Sequence, residues 1–308
     1  MDELQKSFEN CVEYRQHLTT LLQGLKKVCD TNETCRRRLQ AFANRRGLPI
    51  EFLDAHGVFY LSEELAKKIN EKKQIKQPDD ACVPKKEDRD KENLWRTKSR
   101  KVFRFMGATV TTNGKSRNIL ENRIIYPLYS YITNENNEPL VCGVCGYDMA
   151  DGALAKYIYC QTPYFDRVGY LYGEEQLLSI TETKAYFMAE GLVDRLWLKY
   201  AMQQAGIEFI TLATCGVTKH DIKLSKLGLM CDYAHLFYFP DRDKSGGELA
   251  DTLVKRFGNK VTLCYVRIGN KDVAAYFNSE NSSCDFSSFN TLLSNTQDGF
   301  KVGSIYQL

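Results

Sequence analysis

The sequence predicts an α/β fold for the C-terminal part of the chain, with about four parallel strands flanked by helices. Four short apolar runs, bounded by Gly, Pro or polar residues, have the length and composition of buried strands; they occupy residues 184–189, 207–212, 235–239 and 261–266. Helix-length segments separate them: residues 192–204, a helix opened by a Thr218-x-x-Asp221 capping box and ending near Gly228, and residues 247–257. Strands that alternate with helices favour a parallel sheet covered on both faces.

The part of the chain before this sheet predicts three further segments. Residues 1–66 are predicted to be helical, because leucines such as Leu18, Leu22 and Leu25 recur at helical spacing. Residues 67–100 are dense in charge and poor in aliphatic side chains, which indicates an exposed linker. Residues 101–178 are predicted to form a small α+β subdomain, with two strands around a polar turn at residues 134–139. The sheet domain then spans residues 179–280, and residues 281–308 form a tail.

The composition is that of an ordinary globular protein. The chain has 308 residues, 43% of them hydrophobic and 26% charged, and a formal net charge of +3. Because the net charge is small, a nucleic-acid surface has to come from local clusters of basic residues. The sequence shows no secretory signal and no long apolar span, so we expect a cytoplasmic protein without a membrane partner.

The cysteines are predicted to be reduced thiols and not zinc ligands. The chain contains eleven of them, most of them isolated in predicted elements. Cys142 and Cys145 form a CxxC pair, but a zinc ribbon needs a second pair at suitable spacing. Cys11, Cys29 and Cys35 are spaced too irregularly for a ribbon. We therefore expect no structural zinc.

Acidic side chains follow two of the predicted strands. Glu190 follows the first strand, and Asp241 and Asp243 follow the third. If these strands are neighbours, the three carboxylates converge at the edge where parallel strands end, which is where ligands bind in open α/β sheets. Oxygen-only ligands suit a hard divalent cation such as Mg²⁺. Asp194, one turn into the following helix, and Asp272, after the fourth strand, are further candidates at this edge.

Each of these acids also has a purely structural interpretation. Carboxylates are common at helix starts, which fits Glu190 and Asp194. Asp and Gly favour turns, which fits Asp241 and Asp243. The presence of both motifs, in order and each after a strand, favours the functional interpretation over the structural one.

The two motifs, EGLVD at residues 190–194 and DRDKSG at residues 241–246, resemble the EGxxD and DxDxxG signature of the Toprim superfamily. That superfamily includes DnaG-type primases, topoisomerases and OLD-type nucleases. Residues 123–127, 141–147, 156–163 and 167–173 resemble a block that precedes the Toprim domain in DnaG-type primases specifically. The chain is thus similar to a primase catalytic core over roughly residues 35–280.

The resemblance implies a Toprim catalytic domain preceded by a smaller basic α+β subdomain. It further implies synthesis of short RNA primers from NTPs on a single-stranded DNA template, with Mg²⁺ or Mn²⁺. A replicative helicase or a zinc-bearing protein would act as a partner in trans. By position, the metal ligands would be Glu190, Asp194, Asp241, Asp243 and Asp272, with Glu190, Asp241 and Asp243 as the catalytic set. Contacts to nucleic acid or nucleotide would come from Arg123, Lys156, Arg167, Lys244 and Lys271.

The chain departs from the family pattern at three places. Tyr147 stands where the family has an Arg, Cys160 and Gln161 stand where it has a Ser-Pro pair, and Ala274 stands where it has a second acid.

Three different functions stay open beside primer synthesis. A haloacid-dehalogenase-like phosphatase also uses DxD after a strand, but usually after the first strand and not the third. The chain could also be an OLD-type nuclease, or a non-catalytic Toprim module that binds nucleic acid. Non-catalytic modules have lost the acidic residues of the motifs, whereas this chain retains them. Outside the motifs, His220 and His235 are predicted to cap and to pack, and Trp197 and Tyr200 to belong to the core.

Overall fold

The structure is a computed structural model, and it describes residues 2–71, 102–112, 115–150, 153, 155–160, 162–178, 185–204, 206, 209–216, 220–266, 270–278 and 306–307. Most of the predicted linker and of the predicted tail lies outside these residues, as does Thr218 of the predicted capping box. The chain divides into two compact units. The first comprises Met1–Asn44, Pro49–Leu128 and Thr133–Phe165, and the second Arg45–Leu48, Tyr129–Ile132 and Asp166–Leu308.

The first unit combines helices with a small sheet, and its elements α2 and β4 also contribute residues to the second unit. Its elements are α1 (Asp2–Asp30), α2 (Glu33–Arg46), α3 (Ile50–Ala55), β1 (Phe59–Leu61), α4 (Glu63–Glu71), α5 (Val102–Phe105), β2 (Thr109–Thr112), β3 (Lys115–Asn118), β4 (Arg123–Thr133), β5 (Pro139–Asp148) and β6 (Tyr157–Tyr159).

Helix α1 packs into this unit through leucines that recur at helical spacing. Leu18, Leu22 and Leu25 are almost fully buried, as their spacing predicts. On the same helix, the Oγ1 of Thr19 accepts a hydrogen bond from the Val141 amide at 2.9 Å, which ties α1 to β5. Helix α4 continues to Glu71, so the first residues of the predicted linker are helical instead.

The sheet of the first unit has the order β1-β4-β5-β6. Strands β4 and β5 flank the predicted polar turn, which confirms this pair of strands. In the turn, the side-chain oxygen of Asn134 accepts hydrogen bonds from the amides of Asn136 and Glu138, both at 2.9 Å. Asn side chains often bond the backbone in this way, and they favour turns for that reason.

The second unit alternates strands and helices, as the sequence predicts. Its elements are a 3₁₀ helix (Glu174–Leu178), β7 (Ala185–Ala189), α6 (Leu192–Gln204), β8 (Ile210–Ala213), α7 (Asp221–Cys231), β9 (His235–Phe239), α8 (Lys244–Phe257), a second 3₁₀ helix (Gly258–Lys260), β10 (Val261–Tyr265), α9 (Val273–Phe277) and β11 (Tyr306–Gln307).

The sheet of this unit is parallel throughout, in the order β11-β10-β9-β7-β8. All four predicted strands are present, and β11 is an addition that the sequence did not predict. Strands β7 and β9 are neighbours at the centre, and Ala189 pairs with Phe239 at their last residues. The two strands therefore end level with each other. The residues that follow them meet at one edge, which we call the carboxyl edge.

The structure differs from the prediction at both ends of α7, which has His220 and not Thr218 as its N-cap, and at the start of α8. Helix α7 continues to Cys231 and does not stop near Gly228. Its N-cap is His220, whose ring nitrogen accepts from the Ile222 amide at 3.4 Å, so the predicted capping role of this histidine is confirmed. Helix α8 begins at Lys244, three residues earlier than predicted, because the side chain of Asp243 caps it.

Aromatic side chains fill the space on one face of the sheet in the second unit. The rings of Phe187 and Phe237 stack with centroids 4.9 Å apart. Trp197 of α6 is also buried; it stacks on Phe277 at 5.3 Å and donates from Nε1 to the carbonyl of Arg46. These contacts confirm the prediction that Trp197 belongs to the core. Of the helices in the described ranges, α1 included, none has the apolar length needed to cross a bilayer.

Candidate active site

Glu190 and Asp241 lie side by side at the carboxyl edge. Glu190 directly follows β7, and Asp241 comes two residues after the end of β9. The Asp241 amide is 3.4 Å from Oε1 of Glu190 and donates to it. The hydroxyl of Tyr238, on β9, donates to the same oxygen at 3.0 Å. One carboxylate oxygen of Glu190 is thus held by two donors that both come from the neighbouring strand and its loop.

Asp243, a predicted metal ligand, has a structural task at the start of α8. Its backbone is extended, and its Oδ1 accepts from the Gly246 amide at 3.1 Å, which makes it the N-cap of α8. This hydrogen bond is the main reason that the pKa of Asp243 lies below its ordinary value, and the nearby Lys271 lowers it further. The structural and the functional interpretation of this residue are therefore compatible.

Asp194 and Asp272 both hold the start of the short helix α9. Oδ1 of Asp194 accepts from the Ala274 amide at 2.9 Å, and Oδ1 of Asp272 accepts from the Ala275 amide at 2.7 Å. Asp194 is only 8% exposed, so this hydrogen bond replaces most of its contact with water. Ala274, which stands where the resemblance implies a second acid, contributes its main-chain amide as the donor to Asp194.

Of the two lysines predicted near these acids, Lys271 contacts them. Its Nζ lies 3.2 Å from Oδ2 of Asp243 and 3.7 Å from Oδ2 of Asp241. Both carboxylates therefore face the same cation. Lys244 is 91% exposed at the side chain and lies 3.9 Å from Glu248, one turn along α8.

Arg242, between the two aspartates, connects their loop to the loop after β10. Its amide donates to the carbonyl of Lys271 at 2.8 Å, and its guanidinium donates to the carbonyl of Val266, with Nε at 3.0 Å. The guanidinium also lies 5.7 Å from the centroid of the Tyr265 ring. The sequence did not indicate a role for Arg242 at this edge. A basic residue between two acids gives no signal that it faces a carbonyl 24 residues away.

Several carboxyl groups crowd together at the carboxyl edge, so the ionisation of all of them at once is energetically unfavourable. Burial raises the pKa of Asp241 to about 8, and the charges of Asp194 and Glu190 add to the effect. Burial likewise raises the pKa of Glu190, with a further contribution from Asp243. The pKa of Asp194 is raised by burial and then by Asp272. A cation bound among these groups would relieve this repulsion.

The donor chemistry of this cluster fits a hard divalent cation. Every candidate ligand is a carboxylate oxygen, the type that Mg²⁺ and Mn²⁺ prefer. Gly246 lets the main chain pass close to Glu190 and Asp241, two of the candidate ligands. A Cβ at this position would lie 2.5 Å from Oε1 of Glu190 and closer still to the carbonyl oxygen of Asp241. Within the described residues, no three Asp, Glu, His or Cys side chains are grouped closely enough to hold a metal directly. The side chains would have to close around the ion.

The basic residues predicted to contact nucleic acid fall in both units. Arg167, in the second unit, is exposed. The pKa of the nearby buried Lys223 is lowered to about 8, mainly by burial and in smaller part by the positive charge of Arg167. In the first unit, Lys156 is exposed, with Nζ 6.0 Å from the centroid of the Tyr147 ring. Arg123 is only 12% exposed at the side chain and pairs with Asp148 at 3.2 Å. Arg123 therefore has a structural role that the sequence did not predict.

His235 packs inside the second unit, as predicted. Its Nε2 lies 2.8 Å from Oγ1 of Thr262, and its ring lies 5.0 Å from that of Phe237. Burial lowers its pKa to about 4, so the ring is neutral at physiological pH.

The fold is that of primase catalytic cores. No protein-family model matches the sequence, and a search of curated proteins finds no similar sequence. Among solved structures, the RNA polymerase domain of Mycobacterium tuberculosis primase DnaG matches with a TM-score of 0.62 at 16% identity, over 91% of this chain and 83% of that one. A DnaG primase catalytic domain bound to ssDNA matches with a TM-score of 0.57 at 17% identity, over 92% and 80%.

A longer structure, the zinc-binding and RNA polymerase domains of Aquifex aeolicus primase, matches with a TM-score of 0.56 at 17% identity. The match covers 91% of this chain and 64% of that one, so the present chain spans less than two thirds of its length. These similarities confirm the predicted fold class, a parallel α/β sheet with flanking helices in a primase-core architecture.

Proposed function

We propose that this chain is a DnaG-like DNA primase, a nucleotidyltransferase that synthesises short RNA primers on single-stranded DNA. The observation that carries the proposal is the placement of Glu190 beside Asp241 at the ends of two neighbouring parallel strands. This placement occurs in a fold shared with primase catalytic domains, one of which is bound to single-stranded DNA. Fold alone does not define a reaction, so the acids are the necessary second argument.

Glu190, Asp241 and Asp243 are the residues that would hold Mg²⁺ or Mn²⁺, with Asp194 and Asp272 behind them. When bound, such an ion supplies charge stabilisation for phosphoryl transfer between an attacking and a leaving oxygen. The chain itself supplies orientation: Tyr238 and the Asp241 amide fix one oxygen of Glu190. The alternative to a metal-ligand role for Glu190 is that of general base for the primer 3′-hydroxyl, and burial shifts its pKa in the direction that this role needs.

Binding of template and NTPs is assigned to basic side chains at the surface. Arg167, Lys156 and Lys244 are exposed and can neutralise phosphates. Phosphate contacts position a strand but carry no sequence information. We therefore expect that the isolated chain starts primers with little sequence preference, and that a replicative helicase or a zinc-bearing protein acts with it in trans.

Incorporation of labelled NTPs on single-stranded DNA with Mg²⁺ or Mn²⁺ tests the proposal. The wild-type protein should make short RNA, whereas Glu190→Gln should fold normally and lose about 10²-fold or more of the yield. Glu51→Gln, at an exposed position of α3, is the matched control and should behave as wild type. Near-normal synthesis by Glu190→Gln would refute the proposal, as would degradation of the DNA without synthesis by the wild type.

A further inference from the structure

Lys271 places a positive charge between two of the proposed metal ligands. Its ammonium lies 3.2 Å from Oδ2 of Asp243 and 3.7 Å from Oδ2 of Asp241. We infer that Lys271 competes with the divalent metal for Asp241 and Asp243 and is displaced from them when the metal binds. The inference rests on the proposed function, since it takes these two acids as metal ligands. It assigns Lys271 a regulatory role at the site, separate from any contact with nucleotide.

Asp241 is the acid that most needs this cation. Glu190, Asp194, Asp243 and Asp272 each accept at least one main-chain amide. Within the described part of the chain, the carboxylate of Asp241 accepts none, and it stands among the other negative charges. Lys271 supplies the compensation that main-chain donors supply elsewhere.

The main chain of Lys271 is anchored, so only its side chain has to move. Its carbonyl accepts from the Arg242 amide at 2.8 Å, and the next residue, Asp272, caps α9. The ammonium can therefore leave the acids by rotation of the side chain, without unfolding of the loop. The main chain that carries the acids can stay in place while their side chains close around the ion.

The ion pairs of Lys271 are weak enough to be replaced. Its side chain is 60% exposed, and that of Asp243 is 40% exposed, so water screens much of the attraction. A divalent ion carries twice the charge and binds carboxylate oxygens directly, at about 2.0–2.6 Å in general. The two cations cannot occupy the same space, so binding of one excludes the other.

Lys244 provides a matched control for the charge of Lys271. It directly follows Asp243 in sequence, yet its side chain is 91% exposed and lies against Glu248. Removal of either lysine makes the net charge of the protein more negative by one. Only the removal of Lys271 takes away a cation that contacts the two aspartates.

Calorimetric titration of Mn²⁺ into the full chain, without DNA or nucleotide, tests the inference. Lys271→Met should bind Mn²⁺ about five-fold more tightly than wild type, because a competing ion pair worth about 1 kcal/mol is gone. Lys244→Met should stay within about two-fold of wild type, and Lys271→Arg should bind Mn²⁺ as wild type does. Thermal unfolding of each variant checks that the substitutions leave the fold intact.

The outcomes separate this inference from the proposed function. If wild type and Lys271→Met bind Mn²⁺ equally, or if Lys271→Met binds more weakly, the inference is wrong while the metal site stands. If neither protein binds Mn²⁺ at millimolar concentration, both the inference and the proposed metal site are wrong. An equal gain in Lys271→Met and Lys244→Met would show a general charge effect and would also overturn the inference.

Discussion

Substitution of Gly246 by Ala should damage the site directly, because no room exists for a side chain there. A Cβ would lie 2.5 Å from Oε1 of Glu190 and 2.9 Å from the amide nitrogen of Asp241, and closer still to the carbonyl oxygen of Asp241. Two of these three atoms belong to the main chain and cannot rotate away. The loop that carries Asp241 and Asp243 would have to move away from Glu190.

The adjacent Gly247 makes the size of this effect measurable. Both glycines lie in the first turn of α8, but a Cβ on Gly247 has open space around it. Replacement of either Gly by Ala gains up to about 1 kcal/mol of helix propensity. Overpacking typically costs about 1–3 kcal/mol. Gly246→Ala should therefore be less stable than Gly247→Ala by about 1–3 kcal/mol, with the propensity gain cancelled in the comparison.

Urea unfolding, followed by circular dichroism, measures this difference, and Mn²⁺ titration with primer synthesis measures the effect on the site. Gly247→Ala should keep wild-type synthesis. Gly246→Ala should lose about 10²-fold, since displacement of reacting groups by about 1 Å has that effect in enzymes. Equal stability and equal activity of the two variants would show that the loop is not packed as described, and the geometry of the candidate site would have to be abandoned.

Three further predictions concern a cap, a surface and a histidine. Asp243→Asn keeps an N-cap and should weaken only Mn²⁺ binding, whereas Asp243→Ala should also lower the free energy of unfolding by about 1 kcal/mol; equal stability of both variants would exclude the capping role. Lys156→Ala and Arg167→Ala should each flatten the salt dependence of single-stranded DNA affinity by about one phosphate contact, and an unchanged slope would mean that these residues face only solvent. The pKa of His235 is lowered to about 4 in the folded protein, so the unfolded chain takes up the proton first as the pH falls below about 6.5. The free energy of unfolding should therefore fall by about 1–2 kcal/mol between about pH 6.5 and pH 4, a range that allows for solvent screening of the half-buried ring. Urea unfolding at these two pH values should show this loss for wild type and not for His235→Gln.

The central strands and their acids could be predicted from the sequence because their signals are local. An apolar run followed directly by Glu190 or by Pro240-Asp241 indicates both a buried strand and a polar residue at its end. The sequence alone does not show that β7 and β9 are neighbours, and the convergence of the acids depends on that pairing. The structure shows the two strands paired in the sheet.

The features that the sequence did not predict depend on contacts between distant residues. The hydrogen bond from the Ala274 amide to Asp194 joins residues 80 positions apart, and no local pattern predicts it. The ion pair of Arg123 with Asp148 was missed for the same reason. Strand β11 has only two residues, too few for a periodic pattern, and it exists because β10 offers it an edge. The early start of α8 could have been predicted, because Asp is a favoured N-cap residue and Asp243 can accept a hydrogen bond from the amide three residues later.

The hydrogen bonds from main-chain amides to four acids of the cluster have a consequence for how the site responds to its solvent. Of the possible substitutions only proline removes a peptide N–H, and these partly buried contacts are screened little by dissolved ions. The polypeptide backbone itself thus supplies fixed hydrogen-bond donors to Glu190, Asp194, Asp243 and Asp272. The exposed ammonium of Lys271, which contacts Asp241 and Asp243, is a balancing charge that added salt can weaken. A rise in ionic strength should therefore loosen Asp241 and Asp243 first and leave Asp194 and Asp272 in place.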